Sequence, residues 1–227
     1  MDISQILKLH PSSKQEEWTQ TKDGGWVYIS AKVLDNARVY GDAQVCGDAR
    51  VYGDAQVYGD ARVFGDAQVY GDAQVSGNAR VYGDAQVSGN AQVCGNAHVS
   101  GNARVYGHAH VPGNAQVSGN ALVYGDAQVY GDARVSGDAR VYGDARVHGD
   151  ARVHGDAVVY SGEWTCSPLY IQGSKHRLCQ VSPTSIAIGC VEFTKAQWML
   201  NYVMLGEKYG YTKEQIKEYG SYIKLFK

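Results

Sequence analysis

Valine recurs at every sixth position from Val27 through Val33, Val39 and Val45 to Val159, and alanine follows each valine by four, from Ala31 to Ala157. Strand side chains alternate between faces, so each valine points inward while its two neighbours point out. The alanine, past a Gly-Asp or Gly-Asn pair, fills a tight corner. Asp, Asn or His after glycine suits a turn there, because these side chains tolerate left-handed backbone and bond nearby amides, while glycine lets successive coils approach. The unit is V-x-G-[DN]-A-x, and about 23 such hexads run in one register.

The pattern predicts short strands closed by turns, with open coils at both ends that need covering. Residues 1–26 supply an N-terminal cap: Ile3, Ile6 and Leu7 form an amphipathic segment, followed by Trp18 and the turn Lys22-Asp23-Gly24-Gly25. Residues 27–160 are the repeat itself. Residues 161–191 read as two or three irregular strands closing it, and 192–227 as a two-helix cap or oligomerisation element. Thr194 with Gln197 and Thr212 with Gln215 have capping-box spacing, and Gly210 stands where the first of these helices should stop. Trp198, Tyr202 and Leu205 form one apolar stripe, and Ile216, Tyr219, Ile223 and Phe226 another.

The hexad resembles the repeats of left-handed parallel β-helices, the hexapeptide-repeat superfamily, in which three hexads make one triangular coil. That resemblance implies an all-β solenoid, a left-handed parallel β-helix with three flat faces and a small α-helical C-terminal cap. About seven and a half coils at the strand spacing of ~4.8 Å give a prism of about 36 Å. The tail, with Trp164, SPLYIQGSKH, IAIGC, Trp198 and GYTKEQIKEYGSYIKL, is similar to that of phage and prophage hexapeptide-repeat proteins of no assigned activity.

Counting every eighteenth residue separates the faces. On one, the residue after the valine is Tyr52, Tyr70, Tyr106, Tyr124, Tyr142 and Tyr160, broken only by Ser88. A tyrosine ladder suits a subunit interface or a platform for a planar ligand. A second face carries Ser100, Ser118 and Ser136, with Arg134 and Arg152 beside its lower end. Around the middle the corner residue changes from Asp to Asn, at Asn78, Asn90, Asn96, Asn102, Asn114 and Asn120. This neutral waist either relieves repulsion between stacked carboxylates or makes a recess for an anion.

His98, His108 and His110 lie in the waist, but His98 and His110 precede valines on different faces and His108 occupies a corner. One chain cannot gather them into a metal site, and no metal or cofactor is expected. The net charge of -2 gives no overall basic footprint, so long nucleic acid is not an expected partner and an anion would be met locally. Five cysteines, Cys46, Cys94, Cys166, Cys179 and Cys190, without a C-x-x-C pair, suit free thiols. The first residues lack a basic stretch followed by an apolar run, and no span approaches membrane length, so a cytoplasmic protein is expected, in the host cytoplasm if phage-encoded.

Three functions compete. The resemblance implies acyl-CoA-dependent transfer for many such β-helices, with a histidine base in a cleft shaped by an extruded loop, and no loop is extruded between Val27 and Val159. A structural spacer needs no site. The leading reading is a non-enzymatic homotrimer that binds or sequesters a small anionic metabolite or nucleotide between subunits. His98, His108, His110, Arg104, Arg134, Tyr106 and Tyr124 are its candidate binding residues, since arginine grips phosphate and tyrosine stacks on bases.

Overall fold

The hexads become two-residue strands, Lys32–Val33, Arg38–Val39, Gln44–Val45 and so on every six residues to Val158–Val159, in the computed structural model, which describes residues 1–226. Each strand pairs in parallel with the strand eighteen residues on, as Val51 with Val69 and Val69 with Val87. The chain is therefore a parallel β-solenoid with three sheets, one per face. We call them the tyrosine face (Val33 to Val159), the serine face (Val27 to Val153) and the third face (Val39 to Val147, closed by Trp164).

Main-chain groups close from coil to coil. The Arg50 amide donates to the Ala67 carbonyl at 2.9 Å and the Tyr52 amide to the Val69 carbonyl at 3.0 Å, and the pattern repeats along the prism. From Ala43 to Val153 every valine and alanine of the hexads is fully buried. Each valine contributes about 1.5–2 kcal/mol by buried area, an upper figure because the unfolded chain already hides part of that surface. The core is aliphatic throughout, so any chemistry lies on the outer faces or at the ends.

Glycine is needed at the corners for two reasons at once. Gly95 has φ +70°, and a Cβ on it would stand 2.9 Å from the Gly113 amide nitrogen of the next coil. The first coil departs from this rule, with Ile29 and Asp35 where later coils have glycine. Asp35 adopts φ +58° and accepts a hydrogen bond from the Gly53 amide at 3.1 Å, an Asp tolerance of left-handed backbone put to use. Val27 and Val33 stay half-buried there, so the fully closed core begins at Val39.

At the N-terminal end, helix α1 (Ile3–Leu9) starts with an Asp2 capping box and buries Ile6 against Trp18 and Trp26. Strand Trp18–Gln20 runs antiparallel to Trp26–Tyr28 and so terminates the serine face. Gln44, buried at this end, is met by His10 Nε2 at 2.9 Å.

The C-terminal end is more regular than the sequence pattern implies. In place of two or three irregular strands there is a four-stranded antiparallel sheet, Tyr170–Gln172, Arg177–Gln180, Ser185–Ile188 and Val191–Thr194. Two of its turns carry glycine, Gly173 and Gly189, and such short turns are what antiparallel neighbours require. Helices α2 (Lys195–Lys208) and α3 (Lys213–Leu225) pack on this sheet, and both capping boxes, on Thr194 and Thr212, are formed. Trp198, Tyr219, Ile223 and Phe226 bury with Leu178, Ile186 and Ile188 in a core separate from that of the solenoid. Tyr170 and Arg177 both bind the Asp156 carboxylate, tying this cap to the last coils. No helix among the described residues is long and apolar enough to cross a membrane.

Candidate functional site

Because strands rise one coil at a time in register, identical side chains one coil apart are forced face to face. The rings of Tyr52 and Tyr70 stack with centroids 4.9 Å apart and planes within 1°. Tyr106 stacks on Tyr124 at the same spacing, and Tyr124 on Tyr142. The rings are half-buried by one another, and the Tyr52 hydroxyl lies 3.3 Å from Gln68 Oε1. The ladder thus shields much of its own apolar surface.

The ladder stops once. At Ser88 the backbone holds the same register, its amide bonded to the Val105 carbonyl at 2.9 Å, but no ring projects. Tyr70 and Tyr106 face each other across two coil steps, about 9.8 Å, twice the 4.9 Å stacking distance. The result is a recess of about 260 Å³ lined by Tyr70, Gln86, Ser88, Arg104, Tyr106 and Leu122. Its thickness is that of one aromatic ring.

The recess is electrically lopsided. Arg104 lies between Gln86 and Leu122 on the same sheet, is exposed, and makes no ion pair among the described residues. The corners flanking Tyr70 are Asp66 and Asp72, those flanking Ser88 are Asp84 and Asn90, and those flanking Tyr106 are Asn102 and His108, so negative charge falls off from the Tyr70 side to the Tyr106 side. An anionic group attached to a ring in the recess is therefore directed toward Arg104.

The other sequence-derived candidates are dispersed. His98 lies on the serine face between Arg80 and Gln116. Burial first, and the Arg80 guanidinium second, hold its imidazole below the ordinary value of 6.5. His110 lies on the third face, its Nε2 3.6 Å from Cys94 Sγ. Arg134 is on the serine face, between Gln116 and Arg152. Tyr124 has both ring faces covered by Tyr106 and Tyr142. Of the residues singled out from the sequence, Arg104 and Tyr106 converge on one place, while His108 occupies the corner beyond Gly107 and does not line it. Tyr70, Gln86, Ser88 and Leu122 complete it, and the signal for them was the single gap in a row of tyrosines. Among the described residues no group of three or more His, Cys, Asp or Glu is placed to hold a metal ion.

The asparagine waist has a structural account of its own. Asn96 donates to Asn114 at 3.0 Å and Asn114 to Asp132 at 3.0 Å, while Asn102 donates to Asn120 at 3.2 Å and Asn120 to Asp138 at 2.9 Å. Each ladder runs from amide to carboxylate, replacing repulsion between stacked aspartates with hydrogen bonds.

The C-terminal cap contains one further recess, of about 150 Å³, between α2, α3 and the antiparallel sheet. On its outer side α2 exposes Met199, Leu200, Val203 and Met204, Leu200 by 84 %. This helix is apolar on both sides, unlike a surface helix with one buried stripe.

The solenoid repeats match the family model described as the YdcK beta solenoid repeat, at residues 43–55, 55–71, 73–89, 91–107, 115–131, 127–143, 133–149 and 139–155. The last three matches start six residues apart, so the hexad rather than the full coil is the unit of recurrence. A comparison with curated proteins gives no match.

Proposed function

We propose that this β-solenoid repeat protein is a non-enzymatic binding scaffold, which takes a planar aromatic anion of the nucleotide kind into the gap of its tyrosine ladder. The observation that carries the reading is the single missing ring at Ser88, with stacked tyrosines on both sides. A guest ring there restores the periodic stack, and Arg104 meets its charged substituent. Two stacking contacts at ~0.5–1.5 kcal/mol each and one charge-assisted hydrogen bond at ~1.5–3 kcal/mol correspond to an affinity between about ten millimolar and tens of micromolar.

Sequestration fits better than turnover, because the gap holds no general base beside a walled pocket and the coils from Val39 to Val159 extrude no loop. The scaffold works as a homotrimer in this reading, with α2 reaching a neighbouring subunit, because a helix apolar on both faces belongs in a buried position. Isothermal titration with AMP, adenosine and inorganic phosphate tests the binding claim. AMP should bind more tightly than adenosine, and phosphate alone should not bind. Equal binding of AMP to an Arg104→Ala, Tyr106→Ala double variant would refute it.

A further inference from the structure

We propose that the recess in the C-terminal cap is a second, independent binding site, for a small apolar molecule of about one aromatic ring carrying one hydrogen-bond acceptor. Its walls are Ile188, Val191, Trp198, Leu205 and Ile216, and its volume of about 150 Å³ is that of a cavity able to hold benzene. The space is not loose packing. On one side Gly206 brings α2 so close to α3 that an added Cβ would stand 2.5 Å from Ile216 Cγ1, and on the other Gly220 abuts the Tyr202 ring, 2.6 Å from an added Cβ. With the helices already in contact at both points, the recess cannot close by moving them together.

Water is a poor occupant, since it needs two to four polar partners. The Trp198 N–H is used by the Ile186 carbonyl at 2.8 Å, and the Tyr219 hydroxyl bonds the main chain of Lys175 and His176. Besides the Cys190 thiol and the Tyr202 and Tyr209 side chains, the lining carries one hydrogen-bonded polar pair, the Tyr211 hydroxyl and His176 Nδ1, 2.6 Å apart, with His176 exposed. Burial keeps the Tyr211 hydroxyl protonated, its pKa pushed up to about 12. When His176 carries its proton on Nδ1 and donates to the Tyr211 oxygen, the Tyr211 O–H is free to donate to an acceptor on the guest.

Acetophenone and ethylbenzene, alike in shape but differing in the acceptor, test the site in the full-length protein. The chemical shift of the Trp198 indole N–H is followed by NMR, with alkylation of Cys190, which lines the recess, as a second readout. Both probes should give saturable shifts and slow the alkylation, acetophenone binding several-fold more tightly. Tyr211→Phe should erase that preference, and Val191→Phe, or Leu205→Phe if the first variant loses helix signal, should abolish both responses. Ser88→Tyr should change neither. Absence of a saturable shift up to the probes' solubility, equal affinity for the two probes, or an unchanged response in the filled variants would overturn the proposal.

Discussion

Replacing Ser88 by tyrosine supplies the one ring missing from the ladder. The backbone there already has the geometry of its neighbours, the Ser88 amide reaching the Val105 carbonyl at 2.9 Å as the Tyr70 amide reaches Val87 at 3.0 Å. No main-chain adjustment is required. The new ring gains stacked partners in Tyr70 and Tyr106, as Tyr52 has in Tyr70 and Tyr124 in Tyr106 at 4.9 Å. Two aromatic pairs contribute roughly 1–3 kcal/mol together. Solenoid stability is close to a sum over neighbouring coils, so the gain raises the urea midpoint of the transition without changing its slope. Ser88→Ala, which adds no ring, should leave the midpoint within ~0.5 kcal/mol of wild type. Circular dichroism in urea measures the first effect, and titration calorimetry with AMP the second: Ser88→Tyr should be more stable and should no longer bind. A variant that is less stable than wild type, or that binds AMP unchanged, would refute the idea that the gap is a vacant rung.

Other outcomes follow from the same geometry. His98 is held below 6.5 in the folded chain, so on acidification the unfolded chain takes up its proton first. That part of the stability is full above 6.5 and falls as pH drops from 6.5 toward the folded value, and His98→Gln should remove it in urea titrations across that window. Burial pushes the Cys46 thiol up to about 11, and Cys179 is likewise raised and buried, whereas Cys166 and Cys190 are exposed; iodoacetamide on native protein should label Cys166 and Cys190 well before Cys46 and Cys179. Gly95→Ala forces a left-handed alanine against the Gly113 nitrogen and should cost about 2 kcal/mol or more, visible as a lowered urea midpoint. The double change Leu200→Glu, Met204→Glu on the outer side of α2 should leave the solenoid spectrum intact and reduce the mass seen by light scattering from trimer to monomer.

The solenoid was legible because its information is local and repeated: a valine every six residues fixes what points inward, and an eighteen-residue count fixes which rings meet. The same count exposes Ser88 as the break in the tyrosine row. What it could not give is the depth of that break. Whether Tyr70 and Tyr106 lean together or hold their planes apart depends on the stacking beyond them, where Tyr52 and Tyr124 anchor each ring in the ladder. The asparagines carry two readings in sequence, relief of stacked carboxylates or a recess for an anion, and only the traced amide-to-carboxylate ladders from Asn96 to Asp132 and Asn102 to Asp138 give the first its geometry. The cap resisted most. Its apolar stripes locate the inner sides of α2 and α3, but the glycine contacts at Gly206 and Gly220 that leave a recess are tertiary, and no periodicity announces them.

Ring-current shifts in the NMR spectrum of AMP, titrated with protein, test the central claim most directly. A base held between Tyr70 and Tyr106 lies over two ring faces, so its H2 and H8 signals should move upfield in a saturable way, and Ser88→Tyr should abolish the movement while Tyr58→Leu, on the third face, should preserve it. Shifts that are absent, or that persist unchanged in Ser88→Tyr, would contradict the account.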